Sequence, residues 1–302
     1  MGTNAPRSID QYLKALAAAL ANEEPALRQD ALSDAEEYLR AEVAQHPDKS
    51  EADVLEVIAS TYGHPEEVAD AYRVTEATVR KAMQGAVRPA ALGPWGKIFG
   101  VYADFRTYTS LFLLLVSLPT GILYFTVAVT GLSLSVGLSI LIIGIPVFLL
   151  FIGLIRVLSL AEGRLIEGLI GTRMPRRAPY VIKGVALVER IKNMLKDQRT
   201  WTTLLYMVLA LPIGIFSFVF AVVGAVVPLA MLFAPLGVVF GLNDHVNIDD
   251  VSLYNYMGAG GLVLCAIVGF ILLTLTLHVA RFIGQVHGSL AKALLVARDG
   301  EA

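Results

Sequence analysis

Apolar residues along this chain are gathered into long blocks. No Asp, Glu, Lys or Arg occurs between Arg106 and Arg156, from Thr200 to Asn243, or from Val251 to Val279. A membrane-crossing helix needs roughly 20 apolar residues, so the first block holds two crossings and the others one each. The blocks lack the alternation of a barrel strand, and lipid offers the backbone no hydrogen-bond partners, so helices are predicted. The spans fall at about 107–131, 135–157, 200–226 and 258–282. Residues 225–240 are apolar and contain Pro228 and Pro235. They read as an extension of the third span, or as a re-entrant or interfacial segment; a fifth crossing would conflict with the charge pattern described below.

Ahead of these blocks the pattern is that of short amphipathic helices. Ser8 caps a helix whose apolar face is Ile9, Tyr12, Leu13, Leu16 and Leu20. A second helix starts near Glu24–Pro25 and runs through Leu27, Ala31, Leu32, Ala35, Tyr38, Leu39 and Val43 to about His46, where Pro47 and Asp48 break it. Ser50 through Asp53 form a capping box with Asp in place of Glu, opening a short helix through Val54, Leu55, Val57 and Ile58. Gly63 suits a left-handed stop and Pro65 the first turn of the next helix. The fold class is therefore all-α. Residues 1–82 form a small cytoplasmic helical bundle and 106–298 a four-helix transmembrane domain. Between them, 83–105 is a juxtamembrane linker, non-helical because of Gly85, Pro89, Gly93, Pro94 and Gly96. Trp95 and Tyr102 would lie at headgroup depth.

The membrane part repeats itself. Arg106-Thr-Tyr-Thr, followed by Leu118-Pro119-Thr120-Gly121, recurs 93 residues later as Arg199-Thr-Trp-Thr and Leu211-Pro212-Ile213-Gly214. Phe125 with Phe218, Ala128 with Ala221, Val129 with Val222 and Gly131 with Gly224 keep the register. The copies also end alike, Arg156 and Gly163-Arg164-Leu165 against Arg281 and Gly288-Ser289-Leu290, now at an offset of 125. Two duplicated helical hairpins result, the second with about 32 extra residues between its spans.

Composition agrees with a membrane protein. The 302 residues are 56% apolar with a mean hydropathy of +0.64, against roughly 45–50% apolar in soluble domains. Charge then sets the orientation. The connector 159–203 has nine basic residues (Arg164, Arg173, Arg176, Arg177, Lys183, Arg190, Lys192, Lys196, Arg199) and four acidic ones. Segment 236–257 has Asp244, Asp249 and Asp250 and no Lys or Arg. The excess of positive charge marks the cytoplasmic side, so both termini face the cytoplasm of a multi-pass plasma-membrane protein. No cleavable signal peptide precedes the first helix.

Residues 1–70 carry fifteen acidic and five basic residues. That face is unsuited to nucleic acid or anionic lipid, and is either simply solvated or a docking surface for a basic partner. Asp34-Ala-Glu36-Glu37-Tyr38 followed by Tyr62-Gly63-His64-Pro65-Glu66-Glu67-Val68-Ala69 resembles the HAAS/DUF1700 family of bacterial signalling modules, with His64 where the family has Ser. That resemblance implies a cytoplasmic regulatory partner, PadR-like transcriptional regulators being common neighbours of the family. The duplicated Arg-Thr-aromatic-Thr and Leu-Pro-x-Gly signature, with the basic connector, resembles the "putative sensor" domain, the membrane input region of many two-component sensor kinases. This second resemblance covers about 100–295. The stretch after the last span leaves no room in this chain for a kinase ATP-binding domain.

Candidate chemistry is sparse. Pro119 with Gly121 and Pro212 with Gly214 sit at equivalent points of the repeats, where kinks either pack the hairpins or frame a small hydrophobic or lipid ligand. Arg106 and Arg199 anchor the spans at the interface, or recognise an anionic headgroup. Tyr180–Lys196 and Phe282–Ala297 read as basic amphipathic helices on the inner leaflet. The five histidines form no site: His46, His64, His278 and His287 stand apart, and His245 with Asp244, Asp249 and Asp250 reads as a solvated loop, weak cation binding from outside being the alternative. Cys265 reads as a small buried apolar residue. No catalytic, cofactor or metal constellation is legible, so an enzyme is not expected. The reading is a membrane sensor that passes an envelope or lipid-borne signal to a cytoplasmic protein partner, with lipids and a second copy of the chain as further partners. The alternative is a two-repeat transporter or lipid translocator, against which no acidic residue lies in a predicted span.

Overall fold

The computed structural model describes residues 6–83, 93–138, 144–177, 192, 194–240, 247–248 and 251–296. It is all-α apart from one two-residue antiparallel pairing, Asn247–Ile248 with Val251–Ser252. The helices are α1 (Ile9–Ala19), α2 (Pro25–Gln45), α3 (Glu51–Thr61), α4 (Pro65–Met83), α5 (Pro94–Phe99), α6 (Phe105–Gly137), α7 (Gly144–Ile170), α8 (Gln198–Val239) and α9 (Leu253–Leu295). The chain divides into two compact units. The first contains Met1–Arg88, Leu132–Leu205 and Ala291–Ala302; the second contains Pro89–Gly131 and Tyr206–Leu290.

In the first unit, α1–α4 close on the core anticipated from the apolar stripes. Tyr12, Leu16, Leu20, Ala31, Ala35, Leu39, Leu55 and Ile58 are buried in one cluster, each large side chain contributing about 1.5–3 kcal/mol. The helix boundaries follow the caps. Ser8 accepts from the Gln11 N–H, and Ser50 accepts from the Asp53 N–H. Gly63 takes φ +108°, a conformation costly for other residues, and its carbonyl accepts from the Tyr12 hydroxyl at 2.8 Å. The His64 N–H, at the substituted position of the motif, donates to Glu67 Oε2 at 3.0 Å. Tyr38 stacks on Tyr62 with ring centroids 4.4 Å apart. Replacing Ser50 by Ala should cost about 1 kcal/mol, seen as faster hydrogen exchange confined to the first turn of α3.

Four helices, Phe105–Gly137, Gly144–Ile170, Gln198–Gly237 and Gly258–Leu295, are long and apolar enough to cross a membrane. Each runs beyond the end of its predicted span. α6 continues past Gly131 to Gly137, so the second helix begins at Gly144 and not at 135. Leu132, Leu134 and Val136 prolong the apolar surface, and a lone glycine does not stop a helix whose backbone has no water to bond. α7 carries on through Arg156, Glu162, Arg164 and Glu167. Residues 225–239 are neither re-entrant nor a separate crossing: α8 is one helix of 42 residues running through Pro212, Pro228 and Pro235. α9 breaks at Gly258, with φ +65°, and continues to Leu295, covering most of the anticipated 282–297 helix.

Two expectations need correction. Residues 94–99, within the linker read as non-helical, form α5; Gly93 stands at its N-cap, Pro94 suits its first position, and Gly96 is carried inside it. Cys265 is half-buried. The 180–196 helix lies mostly outside the described residues, as does the loop with Asp244, His245, Asp249 and Asp250.

Candidate functional site

In the first unit, α7 ends at Ile170 and Gly171 turns the chain with φ +79°. The irregular segment that follows lies against α2 and α4. Asp30 of α2 is its focus. Asp30 Oδ1 accepts the main-chain N–H groups of Arg176 and Arg177 at 2.7 and 2.8 Å, and Oδ2 accepts from Arg173 Nη2 at 2.8 Å. The Asp30 and Arg173 side chains retain only 7% and 12% of their exposure. Arg173 also pairs with Glu76 of α4 at 2.9 Å and Glu167 of α7 at 3.6 Å. Arg176 pairs with Glu167 at 2.9 Å, and Arg177 with Asp34 at 2.7 Å and Glu37 at 3.5 Å. Around this core, Arg199 donates to Gln29 at 2.8 Å, Gln29 donates to the Arg177 carbonyl, and Lys292 lies 3.2 Å from Glu24.

Burial works against the charge on Arg173, but the hydrogen bond and charge of Asp30, then Glu76, outweigh it and lift its pKa above the ordinary value. Burial pushes the Asp30 carboxyl upward, opposed by Arg173 and the two main-chain N–H groups. Those effects pull the pair in opposite senses. Three donors within 2.8 Å, none of which can give up its hydrogen, decide for the carboxylate.

The starts of α6 and α8 repeat one another in atomic detail. Asp104 Oδ1 accepts the Arg106 N–H and Asp197 Oδ1 the Arg199 N–H, both at 3.0 Å. Tyr108 donates to the Tyr102 carbonyl at 2.9 Å, and Trp201 to the Leu195 carbonyl at 2.8 Å. Sequence reasoning began the repeat at Arg106 and missed the capping aspartates; extending the 93-residue offset by two positions would have found them. The two arginines nevertheless differ. Arg106 is exposed and Arg199 half-buried. Arg199, Arg156, Asp197 and Ser159 border a cavity of about 20 Å³ in the first unit, room for a single water. In the second unit Arg281, the repeat counterpart of Arg156, pairs with Asp104 at 2.9 Å. Asp104→Ala removes both the cap and this partner and should lower stability by about 1–2 kcal/mol. Asp104→Asn, which keeps the cap, should recover most of that in thermal unfolding of the detergent-solubilised chain.

The Pro and Gly candidates separate in the second unit. Pro119 and Pro212 are exposed on their helices, whereas Gly121 and Gly214 are buried. The glycines form a reciprocal crossing. A Cβ on Gly121 would lie 2.5 Å from the Ala210 carbonyl oxygen, and one on Gly214 would strike the Ser117 carbonyl oxygen. Ser117 and Ala210 are themselves 93 residues apart, so each copy offers the other the same pair of positions. Leu114, Ala221 and Ala280 continue the packing of α6, α8 and α9. His278 donates Nε2–H to the Ile98 carbonyl at 3.0 Å, and Tyr206 and His287 lie 3.1 Å apart.

A protein-family model described as "Putative sensor" matches residues 113–295. The chain belongs to this sensor family. No curated protein and no solved structure matches it. Family membership and the four apolar helices make it a multi-pass membrane protein. The sensor match takes in both crossing glycines, Arg156, Arg199 and the Arg173–Arg177 segment, while the acceptors Asp30, Asp34, Glu37 and Glu76 precede it.

Proposed function

We propose that this sensor-family protein is a non-catalytic signalling protein of the plasma membrane, with both termini cytoplasmic. Its membrane hairpins perceive an envelope or lipid-borne signal, and residues 1–82, read as a HAAS/DUF1700-like module, deliver it to a cytoplasmic regulatory protein, a PadR-like regulator being the kind the resemblance suggests. The observation that carries this reading is the buried grip of Asp30 on Arg173, Arg176 and Arg177. It joins the helical bundle to the segment leaving the second membrane helix, so a displacement of that helix acts directly on the bundle. A signal works here only through different affinities for two arrangements of the hairpins. Pro119, Gly121, Pro212 and Gly214 remain the candidate ligand positions, and Arg106 and Arg199 the candidate headgroup positions.

Crosslinking capture from native membranes tests this, comparing the full chain with one lacking residues 1–82. A regulatory protein captured only by the full chain is the expected result. Equal capture by both chains would sink the proposal.

A further inference from the structure

We infer that the acidic face built by Asp30, Asp34, Glu37 and Glu76 is a receptor for an Arg-x-x-Arg-Arg segment, filled by Arg173–Arg177 of the same chain and open to the same motif on the cytoplasmic partner. The inference rests on the signalling reading above and gives the partner a chemistry.

Recognition at this face is of the kind a peptide makes. The ligand side is five consecutive residues without helix or strand, Arg173-Met174-Pro175-Arg176-Arg177. Two successive main-chain N–H groups converge on one carboxylate oxygen, and the second oxygen takes a guanidinium. Arg177 reaches Asp34 and Glu37, and Arg173 reaches Glu76. Pro175 fixes the backbone between the arginines and lowers the cost of ordering the run. Any chain with this motif can make every one of these contacts.

Two features tie the occupant to the membrane helix. Met174 is fully buried and lies against Gly163 of α7, and Glu167 of α7 binds Arg173 and Arg176. α7 and the bundle thus share two of the three arginines, Arg173 through its guanidinium and Arg176 through its guanidinium on Glu167 and its main-chain N–H on Asp30. A shift of α7 that favours Glu167 draws the segment out of the receptor.

The buried carboxylate decides what can follow. Departure of the segment strips Asp30 of three charge-assisted hydrogen bonds. Departure of the internal segment is therefore an exchange, completed by another supplier of N–H groups and guanidinium. An anionic membrane could take the arginines but offers Asp30 nothing. A protein segment replaces all the donors at once.

The test uses the full chain in nanodiscs of phosphatidylcholine and a fluorescent peptide, Thr-Arg-Met-Pro-Arg-Arg-Ala, matching residues 172–178. In the wild type the internal segment competes at an effective concentration in the millimolar range, so the peptide binds weakly. The variant R173Q/R176Q/R177Q should bind it at least about tenfold more tightly, since the internal segment then keeps its main-chain N–H groups but has lost all three guanidinium groups. Adding Asp30→Asn should return binding to the wild-type level. No gain in the triple variant, or binding that survives Asp30→Asn, overturns the inference. Should the triple variant not fold, judged by hydrogen exchange of α1–α4, the single variant R177Q takes its place, with a smaller gain expected and its absence equally decisive. Peptide that prefers phosphatidylglycerol vesicles to the triple variant assigns the arginines to lipid and also overturns it. Peptide binding as described, with no partner captured through residues 1–82, would remove the signalling reading and leave the receptor standing.

Discussion

A Gly121→Val protein is expected to lose the packed arrangement of its membrane helices, its thermal midpoint in mild detergent falling by roughly 10 °C. The cause is the surface that the new side chain would meet. A Cβ at this position would lie 2.5 Å from the Ala210 carbonyl oxygen, 2.9 Å from its carbon and 3.1 Å from the Leu211 Cα. All three atoms are backbone, so no rotamer change relieves the overlap and the helices themselves must separate. Overpacking of this kind costs about 1–3 kcal/mol, more where the neighbour cannot yield. Gly214→Val should do the same, because it meets Ser117 and Leu118 in the mirrored position. The two substitutions together should cost less than the sum, since either one already opens the crossing. Gly153→Ala is the control: no atom lies within 4 Å of the added Cβ, and stability should stay level or rise by about 0.5–1 kcal/mol. A Gly121→Val chain that keeps the wild-type midpoint would show that α6 and α8 do not meet in this way.

Asp30→Ala should release the arginine segment. Removing one partner of a buried pair costs at most about 3–5 kcal/mol; here Arg173 keeps Glu76 and Glu167, and the loss falls on one guanidinium bond and on the main-chain N–H groups of Arg176 and Arg177. The direct readout is trypsin cleavage after Arg173. While the opening is reversible and fast, cleavage follows the open population, so the rate should rise by roughly a hundredfold. Arg177→Gln gives the contrast. That side chain is 54% exposed, and an exposed pair contributes at most about 1 kcal/mol, so cleavage after Arg173 should change no more than about fivefold. Equal acceleration in the two variants would mean that the contact is a surface association without a buried centre.

The helical bundle was legible because its boundaries are local chemistry. Ser8, Ser50, Gly63 and Pro65 act within four residues of themselves, and the stripe from Ile9 to Leu20 names its own buried face. The membrane blocks were legible for a similar reason, since a long run without charge has few other places to go. Helix ends were less so. α7 passes the end of its charge-free block at Arg156 and continues through Glu162 and Glu167, because the backbone does not stop where the lipid does. The grip on Arg173 was out of reach of local reasoning. Asp30 and Arg173 are 143 residues apart, and composition could say only that an acidic face suits a basic partner, not that the same chain supplies it. For the Leu-Pro-x-Gly repeats, sequence grouped proline and glycine as one feature. The fold divides them, because a residue without a side chain belongs in a crossing and a ring without an N–H is tolerated on the outer surface.

α8 raises a question of length. Its 42 residues make a rod about 63 Å long, against a hydrocarbon core of about 30 Å. From Thr200 to its end it has no charged side chain to mark where the lipid should stop. Tilting absorbs only part of the mismatch, because helices incline by about 40° at most and a core of 30 Å then accommodates about 39 Å. About 20 Å of apolar helix must stand clear of the acyl chains, and Phe233, Leu236 and Val239, all exposed on its surface, lie in that distal part. Bilayer thickness therefore sets how many of these side chains meet water. A thicker membrane hides one more turn, and a thinner one uncovers it.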